Sequence, residues 1–366
     1  MSVTVTTIVG ARPQFVKAAV VSRALAGRGI AETLVHTGQH FDAAMSGAFF
    51  EELGLPEPAH HLGINGGTHA EMTGRMLMAI EAVLMQSRPN WVLIYGDTNS
   101  TLAGALAAAK LAIPVAHVEA GLRSFRRTMP EEINRVAADH MSSLLLCPTE
   151  TAIDNLRREG IVAPAAVNVG DVMYDAIRAY SPIASARSTI LRRLNLTERG
   201  YAVLTIHRAE NTASPTAVAE LLTTVAEVGA DLPIVFPIHP RTRALLSAET
   251  LSAIVANGRV TVIDPIPYLD SLQLQANARL VMTDSGGMQK EAYLVGVRCL
   301  TLRDETEWPE TLAAGMNVVI GSRPADLRAS VAAAMAPVPA TLPQPFGDGT
   351  ASDKIAALLE SRGASA

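Results

Sequence analysis

The chain has 366 residues, of which 49% are hydrophobic and 18% are charged, and its formal net charge at pH 7 is −5. This composition is typical of a globular protein and excludes a largely disordered chain, while the length predicts two domains of ordinary size. The negative charge argues against non-specific binding of nucleic acids, which requires a basic surface, although local clusters of Arg and His can still bind a phosphate group.

Short apolar runs alternate with longer helical patterns through the first half of the chain. The run at 3–9 has no basic segment before it, so we interpret it as a strand rather than a signal peptide and expect a cytoplasmic protein. The apolar stretch 101–118 contains Lys110 and Pro114, which favours a helix, a turn and a strand over a membrane span. The elements predicted here are strands at 3–9, 34–36, 91–95, 115–118, 144–147 and 167–169, and helices at 13–27 and 99–111.

The alternation restarts after a helical region at 176–200 that contains no obvious core strand. The strands predicted there are 201–206, 234–237, 260–263, 280–283, 299–302 and 318–320. This rhythm predicts parallel sheets covered by helices, hence an α/β fold of two Rossmann-like domains with an inter-domain cleft. We assign residues 1–173 to the first domain and 174–349 to the second. A Pro/Gly-rich stretch can carry the chain back, so the helical segment 350–366 is assigned to the first domain.

The cysteines and glycine motifs limit the cofactors that the chain could use. Cys147 and Cys299 both lie in apolar runs, which favours two buried thiols, and no Cys/His spacing resembles a zinc site. The first strand is followed by GARPQ rather than by G-x-G-x-x-G, and the sequence contains no Walker A motif. We therefore expect no metal and no cofactor.

Polar residues follow the predicted strands, and ligands of parallel sheets bind beyond the carboxyl ends of strands. The segment Asp284-Ser285-Gly286-Gly287 lies between a strand and a helix, where free N–H groups and the helix dipole can hold a pyrophosphate. The alternative is that Asp284 or Ser285 merely caps the helix. The basic residues at other strand ends, which favour the phosphate site, are His207, Arg208, His239 and Arg241.

Two cations follow the first strand. Arg12 sits in a tight turn before Pro13, which can open a helix, and this position favours a ligand-facing side chain over a surface charge. Lys17 lies about one turn further along the helix and is compatible with either role.

Carboxylate side chains lie just after the ends of other predicted strands in the first half of the chain. Asp97 either faces the cleft or caps the following helix, whereas Glu119, between an apolar strand and a glycine, caps nothing obvious. Glu131 and Glu132 begin a helix in which Arg135 shares a face with Glu131, and we expect at least one of the two acids only to complement the helix dipole. Carboxylates opposite a phosphate-binding wall suggest acid/base chemistry on a nucleotide sugar.

A set of motifs, GARPQ with a following Lys, HTGQH, GDT, HVEAGLRS, PEEINR, HRAEN, HPRT and DSGGMQKE, resembles the non-hydrolysing UDP-N-acetylglucosamine 2-epimerases. The resemblance covers about residues 10–315. It implies a GT-B-like fold, UDP held mainly by the C-terminal domain, and a homodimer that acts on a UDP-sugar. It also implies inversion of carbon 2 by anti-elimination of UDP to a glycal, followed by re-addition.

The resemblance also implies roles for individual residues. The catalytic candidates are Asp97, Glu119, Glu131 and His207. The substrate-binding candidates are Arg12, Lys17, Gln39, His40, Arg135, His239, Ser285, Gly286, Gly287, Glu291 and Arg303. Gln39 and His40 match part of a regulatory substrate site of many bacterial glucosamine enzymes, but the Arg-Gln pair of that site is replaced near Gly67 and Thr68, which argues against allosteric activation.

Several stretches resemble one branch of this family. The segment RDETEWPE departs from the RDTTERPE that is usual in glucosamine enzymes, and GARPQFVKA, HTGQHFDAAMS, GGTHAEMTGRML and GDVMYDA resemble the branch that acts on UDP-2,3-diacetamido-2,3-dideoxy-glucuronate.

The alternatives to an epimerase of this kind are other proteins that bind a nucleotide sugar. One is a UDP-sugar glycosyltransferase of the GT-B fold, which often carries a basic amphipathic patch not seen here. Another is a hydrolysing epimerase, which is usually fused to a kinase domain that this sequence does not show. A non-catalytic nucleotide-sugar sensor would not need the three carboxylates.

Overall fold

The computed structural model describes residues 3–39, 50–208, 210–228, 232–256, 258–321 and 327–363. It divides into two compact units. The first unit comprises residues 1–179 and 344–366, and the second unit comprises residues 180–343. Across these described ranges, no helix has both the length and the apolar character needed to cross a membrane.

The strands and helices alternate along the described chain. The strands are β1 (Thr4–Val9), β2 (Ala31–His36), β3 (His60–His61), β4 (Trp91–Tyr95), β5 (Val115–Val118), β6 (Leu144–Cys147), β7 (Ala166–Asn168), β8 (Ala202–Thr205), β9 (Ile234–Pro237), β10 (Val260–Ile263), β11 (Leu280–Thr283), β12 (Arg298–Thr301) and β13 (Asn317–Val319). The helices are α1 (Arg12–Gly27), α2 (His69–Ser87), α3 (Asn99–Lys110), α4 (Pro130–Met141), α5 (Glu150–Arg158), α6 (Val172–Arg187), α7 (Ile190–Arg193), α8 (Pro215–Val228), α9 (Pro240–Arg243), α10 (Ala248–Val255), α11 (Tyr268–Ala276), α12 (Gly286–Leu294), α13 (Pro309–Ala313), α14 (Leu327–Ala334) and α15 (Ala351–Gly363).

The sheet of the first unit has the strand order β3-β2-β1-β4-β5-β6-β7, and its neighbouring strands are parallel. Strands β4 and β6 are buried along their whole length, as expected for strands covered by helices on both faces. The strand order changes direction between β1 and β4. Their carboxyl ends therefore lie side by side at a topological switch point, where ligands of such sheets bind.

The sheet of the second unit has the order β10-β9-β8-β11-β12-β13, again with parallel neighbours. Its switch point lies between β8 and β11, so the loops that follow these two strands are neighbours. An apolar core around Leu204, Phe236 and Met282 packs between this sheet and its helices.

The C-terminal helix α15 packs in the first unit. Its first turn donates the N–H groups of Ala351 and Ser352 to Asp175, at 3.1 and 2.7 Å. Near its other end, the indole N–H of Trp91 donates to the carbonyl of Leu359 at 3.2 Å. These contacts fix both ends of α15 against the helices and sheet of the first unit.

The α/β class with two parallel-sheet domains, predicted from the alternation, is confirmed. Element boundaries differ by a few residues, and the elements absent from the prediction include the helix α2 and the edge strand β3, which at two residues is too short to produce a pattern. The predicted burial of both thiols is confirmed, and burial raises the pKa of Cys299 to about 12.

Candidate active site

Gln14 joins the two loops that meet at the switch point of the first unit. Its side-chain oxygen accepts hydrogen bonds from the N–H groups of Gly10 and Ala11, at 2.8 and 3.0 Å, and its amide nitrogen donates to the carbonyl of Tyr95 at 2.7 Å. The half-buried Arg12 is the first residue of α1, in the turn that Gln14 holds. Sequence reasoning missed Gln14, whose signal is a polar residue in an otherwise apolar helix turn.

Lys17 and Glu119 form a buried ion pair, and each side chain is only 9% exposed. Glu119 follows β5 with a φ of 68°, in the left-handed region that non-glycine residues adopt at a cost of roughly 1–3 kcal/mol. A Cβ atom at Gly96 would lie 3.3 Å from a Glu119 carboxylate oxygen. The structure therefore brings the predicted Lys17 and Glu119 together beside the end of β4.

Asp97 forms an ion pair with Arg135 of α4. The Asp97 side chain is 33% exposed whereas that of Arg135 is 6% exposed, so the cation holds the carboxylate at the surface of the unit. Thr98, and not Asp97, is the N-cap of α3, because the Thr98 hydroxyl accepts from the N–H of Thr101. The capping alternative for Asp97 is therefore wrong.

The neighbouring acids of α4 have different surroundings. Glu132 is buried and accepts hydrogen bonds from the N–H groups of Ser124 and Phe125, both at 2.9 Å, so it holds the preceding loop. Glu131 lies half-buried in the first turn of α4. We expected at least one of the two acids only to complement the helix dipole, but Glu132 also holds the loop through these hydrogen bonds.

A buried network supports the turns that carry these carboxylates. The two ring nitrogens of His117 lie 2.7 Å from an Asp139 carboxylate oxygen and 2.7 Å from the carbonyl of Gly96. Asp139 also accepts from the N–H of Gly121 at 3.1 Å and pairs with Arg123 at 2.7 Å. The network thus ties the turn before Asp97 to the turn after Glu119.

Asp139 is ionised in this network. Burial raises its pKa, but the hydrogen bond and charge of His117 and the charge of Arg123 outweigh burial and hold the pKa below its ordinary value. Sequence reasoning missed both His117 and Asp139. A histidine inside an apolar strand was the available signal, because a buried polar side chain requires a partner.

Gln39 follows β2 and is fixed to the start of α3. Its side-chain oxygen accepts from the N–H and the hydroxyl of Ser100, at 3.1 and 2.8 Å. His40, its predicted companion, lies outside the described residues.

In the second unit, Ser285 caps α12, and its hydroxyl accepts from the N–H of Met288 at 3.5 Å. The nearest atom to a Cβ built at the exposed Gly287 is the Ser285 hydroxyl oxygen, 3.9 Å away. A Cβ at Gly286 would lie 3.4 Å from a Glu307 carboxylate oxygen. Ser285 therefore caps α12 while the N–H groups at the start of the helix stay accessible, and an anion has room in front of Gly287.

Asp284 is buried and holds the loop after β8. Its carboxylate accepts from the N–H groups of His207 and Arg208, each at 2.9 Å, and from the amide of Asn211 at 3.0 Å. Burial raises its pKa, but these hydrogen bonds and the His207 ring together lower the pKa below its ordinary value. Asp284 therefore anchors one phosphate-side loop, while Ser285 caps the helix beside it.

The two predicted histidines of this unit are neighbours. The His207 Nδ1 atom lies 3.0 Å from Asp284, the His207 side chain is 35% exposed, and its ring centroid is 5.6 Å from that of His239. His239 is exposed, and its Nδ1 atom accepts from the N–H of Arg241. The carboxylate thus orients the half-buried ring of a histidine pair whose other ring is exposed.

Glu291 and Arg303 are buried in polar pairs. Glu291 accepts from the amide of Gln275 at 2.8 Å. Arg303 meets Glu307 through two hydrogen bonds, at 3.0 and 3.2 Å. Arg303 and Glu307 both belong to the RDETEWPE segment, so this segment fixes the side chain of a predicted substrate-binding residue internally. The sequence pattern alone did not indicate this pairing. In the part of the chain that is described, no group of three or more His, Cys, Asp or Glu residues could hold a metal ion.

Comparison with known proteins extends these observations. The sequence model of the family described as UDP-N-acetylglucosamine 2-epimerase matches residues 23–360. A UDP-2,3-diacetamido-2,3-dideoxy-D-glucuronate 2-epimerase from Pseudomonas aeruginosa is 48% identical over 362 residues, which cover 96% of this chain and 98% of that protein. A UDP-N-acetylglucosamine 2-epimerase from Methanocaldococcus jannaschii is 43% identical over 357 residues, which cover 96% of this chain and 97% of that protein.

Solved structures match over nearly the whole chain as well. The crystal structure of the Methanocaldococcus jannaschii UDP-GlcNAc 2-epimerase in complex with UDP-GlcNAc and UDP has a TM-score of 0.88 at 41% identity, covering 98% of this chain and 99% of that one. The Neisseria meningitidis UDP-GlcNAc 2-epimerase bound to UDP-GlcNAc has a TM-score of 0.85 at 28% identity, with coverage of 98% and 99%. The likeness therefore includes the strand ends of both units.

Proposed function

Because this chain belongs to the UDP-N-acetylglucosamine 2-epimerase family, it is an isomerase that inverts carbon 2 of a UDP-linked amino sugar, and we propose that it does so by eliminating and re-adding UDP. The observation that carries this proposal is the placement of Asp97 and Glu119, each held by a buried cation, at adjacent strand ends of the first unit. Binding a nucleotide alone would not require two oriented carboxylates there.

The proposed reaction has two steps. First, a carboxylate removes the proton from carbon 2, the C–H electrons form the C1–C2 double bond, and the C1–O electrons leave with UDP. Then a carboxylic acid delivers a proton to the opposite face of carbon 2, while a UDP oxygen re-adds to carbon 1. We assign the proton transfers to Asp97, Glu119 and Glu131, because oriented acid and base groups are needed on both faces of the sugar ring. Nothing is oxidised or reduced overall.

UDP is assigned to the second unit. The start of α12 at Ser285, Gly286 and Gly287 would receive the pyrophosphate, because its N–H groups and dipole favour an anion. His207, oriented by Asp284, would stabilise negative charge on the leaving UDP, as preorganised donors do in low-dielectric sites.

The remaining predicted residues complete the binding assignment. They are Arg12, Lys17, Gln39, His40, Arg135, His239, Glu291 and Arg303. The proposed reaction requires residues of both units to act on one substrate molecule, and we take the two units to be its two functional domains, with α15 part of the first.

We propose UDP-2,3-diacetamido-2,3-dideoxy-D-glucuronate as the substrate. Support comes from the 48% identity to the Pseudomonas aeruginosa enzyme of that name, against 43% to the Methanocaldococcus jannaschii UDP-N-acetylglucosamine 2-epimerase. The RDETEWPE segment also supports it, because Glu305 and Trp308 depart from the RDTTERPE that is usual in glucosamine enzymes.

We further propose that the enzyme works in the cytoplasm as a homodimer. The exposed side chains of Met78 and Met85, at 66% and 57%, lie about two turns apart on α2 and so share one face. We place this face in the dimer interface, because apolar patches that a second chain covers are typical of interaction sites.

The test is direct conversion of the nucleotide sugar. Purified protein is incubated with UDP-2,3-diacetamido-2,3-dideoxy-D-glucuronate, and proton NMR follows the coupling between H1 and H2. We expect the signals of the manno isomer to grow to a constant ratio while the sugar stays linked to UDP. Accumulation of free sugar with stoichiometric UDP would instead indicate a hydrolysing enzyme, and an unchanged spectrum would contradict the proposed substrate.

A further inference from the structure

A chain of buried amides leads from the main chain of Asp97 to an exposed histidine. The Asn134 side-chain nitrogen donates to the carbonyl of Asp97 at 2.9 Å and to the side-chain oxygen of Asn99 at 3.2 Å. The Asn99 nitrogen then lies 3.2 Å from the Nδ1 atom of His69, closer than the Asn99 oxygen, which lies at 3.5 Å. Asn99 and Asn134 are each 6% exposed, whereas His69 lies at the surface of the unit.

The amide chain selects one tautomer of His69. The Asp97 carbonyl can only accept, so it orients the Asn134 amide, and that amide in turn orients Asn99 with its nitrogen toward His69. Nδ1 of His69 therefore accepts, and the proton of the neutral ring is on Nε2. Among the described residues, this Nε2–H group meets no hydrogen-bond acceptor, so it is available to a ligand.

The surroundings of His69 favour an anionic ligand. His69 is the first residue of α2 and Asn99 is the first residue of α3, so the positive ends of two long helices meet here. The nearby carboxylate of Glu71 turns back toward Gly67 and lies 3.8 Å from Arg75. No hydrogen bond joins this carboxylate to His69 within the described part of the chain.

We propose that His69 determines substrate specificity by donating its Nε2–H to the carboxylate at carbon 6 of a uronate sugar. This inference rests on the proposed function, since it deepens the assignment of the substrate class. The amide chain gives the donor a fixed position relative to Asp97, which acts at carbon 2 of the same ring. A neutral sugar with a hydroxymethyl group at carbon 6 gains no charge-assisted bond from this donor.

The experiment compares two substrates across matched variants. Wild type, His69→Phe, His69→Gln and the control His60→Phe are assayed with UDP-2,3-diacetamido-2,3-dideoxy-D-glucuronate and with UDP-N-acetylglucosamine. His60 lies on the edge strand β3 of the same unit, so its replacement by Phe controls for the loss of an imidazole. His69 is exposed, and thermal unfolding checks that each variant folds like wild type.

We expect His69→Phe to lower kcat/KM for the uronate on the order of 10- to 100-fold, mainly through KM, and to change kcat/KM for UDP-N-acetylglucosamine by less than about 3-fold. His69→Gln keeps a neutral donor and should lower kcat/KM for the uronate less than His69→Phe does, while His60→Phe should match wild type.

An equal loss of kcat/KM with both substrates, or no loss of kcat/KM with the uronate, would overturn the specificity role. If wild type converts neither substrate, the proposed function itself fails and the inference falls with it; conversion of UDP-N-acetylglucosamine alone overturns only the uronate assignment and this inference.

Discussion

At the scale of single residues, two of the candidate catalytic carboxylates are held by buried cations, and one of these two also has an unfavourable backbone conformation. Glu119 keeps a left-handed backbone and pairs with Lys17, and Asp97 pairs with Arg135. Strained residues with fixed charge partners persist only where the surrounding structure determines them, and they cluster at active sites.

The neighbouring acids of α4 allow a matched comparison of chemistry and structure. Glu131→Gln and Asp97→Asn should lower kcat by a factor on the order of 10² to 10⁴, the usual contribution of a general acid or base, and should leave UDP affinity unchanged. Glu132→Gln should instead lower the free energy of unfolding by about 1–3 kcal/mol, because Glu132 holds the N–H groups of Ser124 and Phe125. Single-turnover kinetics, calorimetric titration with UDP and urea unfolding measure the three quantities. Parallel loss of UDP affinity in the Glu131 and Asp97 variants would mean that these residues are structural.

At the scale of elements, the network around Asp139 connects β4, β5 and α4 through His117 and Arg123. Asp139→Asn leaves the Arg123 charge partly uncompensated in the interior, and removing one partner of a buried pair costs about 3–5 kcal/mol. The folded-state pKa of Asp139 is lowered, so its contribution is fully present above the unfolded-state pKa of about 3.9 and is lost as pH falls through the folded-state value. Urea unfolding should therefore show a difference between wild type and variant at pH 7 that shrinks only in strong acid.

The exposed pair of Asp154 and Arg157 provides the control for this prediction. Asp154→Asn should change the free energy of unfolding by less than about 1 kcal/mol at any of these pH values, because surface ion pairs contribute little. A similarly small effect of Asp139→Asn would show that the network does not support the fold.

The start of α12 offers a test that separates binding from stability. Gly287 is exposed, and apart from its chain neighbours and its own helix backbone, the nearest atom to a Cβ added there is 3.9 Å away. Gly287→Val should therefore leave the melting temperature within about 3 °C of wild type, since surface substitutions are usually nearly neutral. The same side chain would fill the space before the helix N–H groups and should weaken UDP binding by at least about tenfold in calorimetric titration. Wild-type affinity in this variant would place the pyrophosphate elsewhere.

At the scale of the whole molecule, the architecture was predictable because whole strands such as β4 and β6 are apolar runs bounded by polar loops. The residues at strand ends were predictable for the same reason. What could not be predicted is pairing across the sequence: Gln14 meets Tyr95 at a separation of 81 residues, and His117 meets Asp139 at 22. Such contacts depend on strand order, which no local pattern encodes.

The assembly state is testable at this scale. The double substitution Met78→Glu and Met85→Glu places two charges on the exposed face of α2 and should convert a wild-type dimer into a monomer. Light scattering coupled to size exclusion measures the mass of each. Replacing the exposed Val338 of the second unit by Glu should leave the mass unchanged. A monomeric wild type, or a double variant that stays dimeric, would contradict the assignment of this face.

The central claim is that the proton on carbon 2 is removed and replaced while the sugar passes through a glycal. Incubation in heavy water with UDP-2,3-diacetamido-2,3-dideoxy-D-glucuronate, and separately with UDP-N-acetylglucosamine, tests it most directly when carbon 2 is followed by NMR. We expect solvent deuterium at carbon 2 of the uronate substrate and product, with Asp97→Asn as the inactive control. Interconversion of the two epimers with no deuterium at carbon 2, or no deuterium in either sugar, would contradict it.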